Sequence, residues 1–248
     1  MTHANGEWDQ RVKLAAVYRA FAKLGMDDLI YTHLSARVPG PETHFLINPF
    51  GLMYEEVTAG NLVKIDLAGN KVDVDNPHDI NTAGYIIHSA VHEALPQAHC
   101  VMHLHTDYGV AVSAQRDGLL PLSQFNVFQY GGVAYHDYEG VALHPEEKVR
   151  LVADLGECRM MLLRNHGTLT WGETVEEAFS HMLNLERACK VQILAQAGGR
   201  AELNLIDAKR MARFQAVDTA VGPFAAAGVR ELAAWMRKLD REAPDYRR

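Results

Sequence analysis

The chain has 248 residues, 48% hydrophobic and 22% charged, with 19 glycines and 9 prolines, a composition that excludes a disordered or collagen-like protein and suffices for one sizeable core without disulfide staples. Its 24 basic and 31 acidic side chains leave a net charge of −7 with no basic block, which argues against a nucleic-acid partner. The 3 cysteines are widely spaced without a C-x-x-C, which argues for a reducing compartment, structural thiols and no cysteine metal site.

The N-terminus is polar and then amphipathic, without the apolar core and cleavage site of a secretory signal. No stretch approaches the ~18 apolar residues of a membrane span, so the sequence predicts a cytoplasmic protein with no membrane partner. Val12, Ala15, Ala16, Phe21 and Leu24 fall near helical spacing, which predicts a helix over 8–24 stopped by Gly25. Three β-rich runs, 29–38, 44–48 and 62–65, are separated by Pro-Gly and Gly-Asn turn signals and predict a small meander. From Thr82 the positions Ala83, Ile86, Ile87, Ala90, Val91 and Ala94 predict a helix with one buried face that ends before Pro96. The short apolar runs 100–105 and 160–163 read as central strands. Thr174 and Glu177 form a capping-box pattern opening a long helix that runs to Gly198-Gly199, and further helices are predicted over 208–217 and 225–239. The reading is one α/β domain over 1–248, with a core at about 8–200 and a helical tail.

The chain has 13 histidines, and the tightest group is His103-Leu104-His105. In a strand, residues i and i+2 share a face with Cβ atoms about 7 Å apart, close enough for two imidazoles to meet on one ion. His166 follows the other apolar run and supplies a candidate third ligand. On spacing alone a metal site and two polar residues on a half-exposed strand fit equally well. His88 and His92, at i and i+4, read as a solvated helix face, because the H-E-x-x-H glutamate is absent. His99, His136, His144 and His181 read as surface or satisfied polar residues. Glu176 and Glu177 fit a helix N-terminus rather than a carboxylate pair, and Tyr135-His136-Asp137-Tyr138 reads as a loop and a candidate substrate wall. There is no dinucleotide fingerprint, P-loop or nucleophile elbow.

INPFGLMYEEVT, HSAVHEALP, HCVMHLHT, VAYHDYEG and LLRNHGTLTWGETVEEAF, in this order and spacing, resemble the class II aldolase and adducin head-domain family. The resemblance implies a three-layer α/β/α class II aldolase-like fold with a mainly antiparallel central sheet, often a homotetramer with sites at subunit contacts. It implies one divalent metal per chain, zinc first and manganese or iron as alternatives, held by His103, His105 and His166. Small-molecule substrate contacts carry over to Asn48, Phe50, Gly51 and Thr82.

The departures from the family pattern matter equally. Thr32-His33-Leu34-Ser35 stands where the phosphate-binding G-N-x-S stretch belongs, Asn48-Pro49-Phe50-Gly51 replaces T-P-T-G, and Thr82-Ala83-Gly84 replaces S-S-E. The phosphate cradle is dismantled and the aldolases' acid/base glutamate is missing, a loss typically worth ~10²- to 10⁴-fold. Water, a neighbouring subunit or His33 must then move the proton, and His33 is the candidate catalytic group.

The first functional reading is therefore a metal-dependent carbon–carbon lyase, aldolase or decarboxylase, acting on an unphosphorylated carbonyl or hydroxy/keto acid. A second keeps the site but makes the metal non-haem iron, as in the aminocoumarin oxygenases that resemble the same family and cleave aryl-pyruvate side chains. A third is a non-catalytic adducin-like interaction module.

Overall fold

In the computed structural model, residues 2–40, 43–128, 132–140, 145–199, 203–215 and 228–248 are described. The first helix, α1 (Thr2–Leu24), starts six residues earlier than the apolar spacing indicates and ends as that spacing predicts. Gly25, at φ 65°, donates to Ala22 O, and Met26 donates to Phe21 O, the paired closure of a left-handed C-cap. Strands β1 (His33–Arg37), β2 (His44–Ile47) and β3 (Val63–Asp66) form the expected antiparallel meander.

After α2 (Thr82–Ala94) comes β4 (Cys100–Leu104), which pairs antiparallel with β1 and occupies the centre of a seven-stranded sheet in the order β3-β2-β1-β4-β7-β6-β5. The remaining strands are β5 (Ala134–His136), β6 (Met160–Leu163) and β7 (Gly167–Gly172). Every pairing is antiparallel except β5 with β6. The sequence reading leaves β7 unassigned and takes β5 for a loop. GTLTWG alternates Thr168 and Thr170 with Leu169 and Trp171 between two glycines, a strand pattern that this reading does not use, and β5 is only three residues long.

Two helical layers cover the sheet. On one face α1, α3 (Asp107–Ser113), α5 (Val175–Gln196) and α7 (Val229–Glu242) pack on Leu34, Ala36, Met102, Leu104 and Leu162. On the other, α2 and α4 (Pro145–Leu155) pack on Val101, Met161, Leu163, Leu169 and Trp171. The alternation of side chains along β1 and β4 thus directs His33, Ser35 and His103 to the α2 face.

Thr174 caps α5 by accepting from Glu177 N as predicted, but the Glu177 carboxylate reaches back to Glu173 N rather than to Thr174 N. The helix α6 (Ala208–Gln215) follows the predicted 208–217, and α7 begins and ends later than the predicted 225–239. Residues 216–217 and 225–227 of those predictions lie outside the described residues. Cys100, Cys158 and Cys189 are free thiols, two of them buried. No helix of the described residues is long and apolar enough to cross a membrane.

Candidate metal centre

His103 is the penultimate residue of β4 and His105 follows the strand's end, so the two-residue period turns both rings the same way. Thr106 then stops the strand by capping α3, its hydroxyl accepting from Gly109 N and donating to Glu186. His166 arrives from the other side, on the tight β6–β7 turn, where Asn165 takes the left-handed backbone at φ 57°. A Cβ at Gly167 would overlap the Leu104 carbonyl, so the absence of a side chain there lets β7 close against β4 behind His166. One ligand nitrogen from each of His103, His105 and His166 lies within 4.8 Å of the others.

Hydrogen bonds orient two of these rings. His103 Nδ1 lies 2.9 Å from the Thr168 carbonyl, which only accepts, and His105 Nδ1 lies 3.0 Å from Asp28 Oδ2. His103 therefore carries its proton on Nδ1 and a lone pair on Nε2, which lies 2.9 Å from His105 Nε2. Burial, with the neighbouring imidazoles, holds His103 well below the usual histidine range, and burial pushes His166 down to about 4. Three converging imidazoles, two of them with Nδ1 held by an acceptor, fit a divalent metal.

Above this cluster opens a pocket of about 490 Å³ whose lining includes Tyr31, His33, Phe50, Asn81, Gly84 and Tyr138. No lysine or arginine is among its described lining residues. The His33 ring sits 5.3 Å from that of His103, and burial pushes it down to about 3. A Cβ on Gly84 would meet His33 Nε2, Cδ2 and Cε1 at less than 3.0 Å each, so the imidazole fills the volume a side chain at 84 needs. Among the described residues, the non-glycine positive-φ positions are Leu29, Thr32 and Asn165. Each directly follows or precedes a residue of the cluster or its supports: Asp28, His33 and His166. Thr32 is held in this costly conformation by a 2.7 Å hydrogen bond between its hydroxyl and that of Tyr54.

The other candidate contacts lie at different depths. Phe50 lines the pocket and is 44% exposed. Asn48 is buried with Oδ1 2.9 Å from the Tyr18 hydroxyl, while Gly51 and Thr82 are exposed and lie outside the pocket lining, where Asn81 stands instead. Of the proposed substrate wall, Tyr138 lines the pocket, but Tyr135 packs under Arg164 and its hydroxyl accepts from Leu119 N. His88 and His92 correct the sequence reading. They are buried rather than solvated, because α2 is enclosed on the histidine side as well as along Ile87, Ala90 and Val91, whereas Ala94 is exposed. His136 is buried and partnered by Asp154 at 2.7 Å, and His181 is buried against the Trp171 carbonyl. His99 is exposed, and His144 lies outside the described residues. Sequence reasoning missed Asp28, Thr168 and Gly84. Only the last left a signal, as the position where the family's glutamate is absent.

The model of the class II aldolase and adducin N-terminal domain matches residues 12–193. The chain belongs to this family. It is 51% identical, with a TM-score of 0.91, to the crystal structure of an aldolase II superfamily protein from Pseudomonas syringae, covering 98% of this chain and 96% of that one. Mouse alpha-adducin is 44% identical over 97% of this chain, which spans 34% of that longer protein. An L-fuculose 1-phosphate aldolase from Glaciozyma antarctica PI12 superposes with a TM-score of 0.85 at 29% identity, covering 100% of this chain and 95% of that one. The family and the three-layer, mainly antiparallel fold therefore stand as the sequence resemblance implies.

Proposed function

We propose that the protein is a metal-dependent carbon–carbon lyase, of aldolase or decarboxylase type, acting on an unphosphorylated carbonyl or hydroxy/keto acid. The observation that carries this reading is the convergence of three imidazoles at the base of a pocket whose described lining offers no lysine or arginine for a phosphate. The family membership and the likeness to an L-fuculose 1-phosphate aldolase support the reaction class.

His103, His105 and His166 would hold the ion, zinc before manganese or iron. A divalent ion there supplies positive charge to a carbonyl or carboxylate oxygen and so favours enolate-forming bond cleavage. Asp28 and the Thr168 carbonyl keep the first two rings aimed. His33, whose Nε2 has no hydrogen-bond partner among the described residues, accepts or returns a proton at that atom in place of the missing glutamate. Phe50, Ile87 and Tyr31 supply apolar surface to the pocket wall. Tyr31, Phe50 and Tyr138 are 48%, 44% and 57% exposed at this pocket, leaving apolar surface suited to cover by a second copy of the chain in a homo-oligomer.

Elemental analysis of protein purified without chelators or a histidine tag tests the reading, alongside His103→Ala and His166→Ala. About one zinc or manganese per chain, lost in both variants, with turnover of an unphosphorylated hydroxy or keto acid under nitrogen, supports the lyase. Iron with oxygen-dependent cleavage replaces it by the oxygenase, and absence of bound metal with no turnover replaces it by an interaction module.

A further inference from the structure

α2 presents His88 and His92 to the sheet face that carries His33 and Ser35, and these four side chains form one hydrogen-bonded file. His33 Nδ1 lies 2.7 Å from His88 Nε2, His88 Nδ1 lies 2.6 Å from Ser35 Oγ, and Ser35 Oγ lies 2.7 Å from His92 Nε2. The file ends where His92 Nδ1 meets the Ala98 carbonyl at 2.8 Å. All four residues are between 0% and 4% exposed, so each polar atom depends on its neighbour in the file rather than on water.

The terminal carbonyl sets the direction of every bond. A carbonyl only accepts, so His92 carries its proton on Nδ1 and offers a lone pair on Nε2. Ser35 therefore donates to His92, and its oxygen accepts from His88 Nδ1–H. His88 Nε2 is then an acceptor, and His33 must donate to it from Nδ1. Burial lowers His92 to about 3 and His88 well below the usual histidine range, so both are neutral, as this assignment requires.

We propose that Ser35, His88 and His92 are positioning residues that hold His33 as the Nδ1–H tautomer, with its Nε2 lone pair fixed toward the pocket as a proton acceptor. The opposite tautomer would put an N–H on Nε2, turning the same ring into a donor at the pocket and leaving a repulsive contact between two lone pairs along the file. The file orients His33 and does not conduct protons away from it, because its far end is an amide carbonyl rather than a titratable group or solvent. This inference rests on the reading of His33 as the group that faces substrate, yet its readout is the position of a proton and requires no turnover. Failure of the lyase assignment therefore leaves it intact, and the reverse also holds.

The test is nitrogen NMR of the full-length, zinc-loaded protein with ring-labelled histidine, the His33 signals being assigned by their loss in His33→Gln. The expected result is a protonated Nδ1 and an unprotonated Nε2 on His33. Ser35→Ala cuts the file and should convert His33 to the other tautomer or to a mixture, while the signals of His181, bonded to Trp171 O on a separate element, stay unchanged as a control on folding. His88→Gln, whose amide carries both an acceptor and a donor, should preserve the wild-type pattern. A protonated Nε2 in the wild-type protein overturns the proposal even if no variant folds. An unchanged His33 spectrum in folded Ser35→Ala overturns it as well.

Discussion

His33 occupies the space above Gly84 that any other residue at that position would claim for its own Cβ. The two sites are coupled sterically: the ring proposed to replace the family's glutamate fits only because position 84 carries no side chain. Gly84→Ala should therefore displace His33 from its bond with His88 and destabilise the protein by about 1–3 kcal/mol, the usual range for overpacking. Chemical denaturation checks the stability, and any identified turnover should fall together with the displacement of His33.

Asp28 supports the candidate metal centre without belonging to it. Its carboxylate accepts from His105 Nδ1 at 3.0 Å and so holds the ring with Nε2 turned toward His103. Asp28→Asn should weaken zinc affinity by about 10- to 100-fold while leaving the fold intact, the typical cost of losing such an outer partner. Competition with a chromophoric chelator measures this, and unchanged affinity would show that Asp28 does not orient the ring.

Metal binding and folding stability should be linked. An ion that binds the native chain at 100 times its dissociation constant adds about 2.7 kcal/mol. Chelator treatment should therefore lower the melting temperature and zinc should restore it. His166→Ala should show neither change. Differential scanning calorimetry with and without chelator is the measurement.

Glu186 gives a pH dependence remote from substrate. Burial raises its carboxyl to about 7, against the opposing hydrogen bond from Thr106 and the charge of Lys190. Below the unfolded value of about 4.5 the group is neutral in both states. As pH rises, the unfolded chain ionises first, so stability falls until the pH passes about 7. The loss is on the order of 3 kcal/mol. Glu186→Gln should flatten this decline and make the variant the more stable protein at pH 8, as urea unfolding across pH 4 to 8 would reveal.

Much of the fold is legible in the sequence because its signals are local. Gly25 ends α1, Thr174 starts α5, and turn residues separate the three strands of the meander. The strand β5 is not legible, since a three-residue strand has no measurable period, whereas β7 carries an alternation of Thr168 and Thr170 with Leu169 and Trp171 that the reading leaves unused. The histidines divide in the same way. His103 and His105 share a face by the two-residue period, a local property, and their link to His166 follows from the family resemblance. His88 and His92 look solvated because helical spacing separates them from the apolar stripe of α2, and only the packing of α2 against β1 shows that this side is enclosed.

By its own pattern the sequence determined which residue types are available and which of them share a face, while the departures from the phosphate cradle and the acid/base glutamate are what the family resemblance implies. Tertiary structure alone decided that Asp28 and Thr168 orient the candidate ligands, that Gly84 makes room for His33, and that a buried serine and two imidazoles stand behind that ring. The reason is physical. Hydrogen-bond direction and steric exclusion act between atoms brought within 3 Å by the sheet register and by the seat of α2, across sequence separations of 51 to 77 residues that no local periodicity encodes.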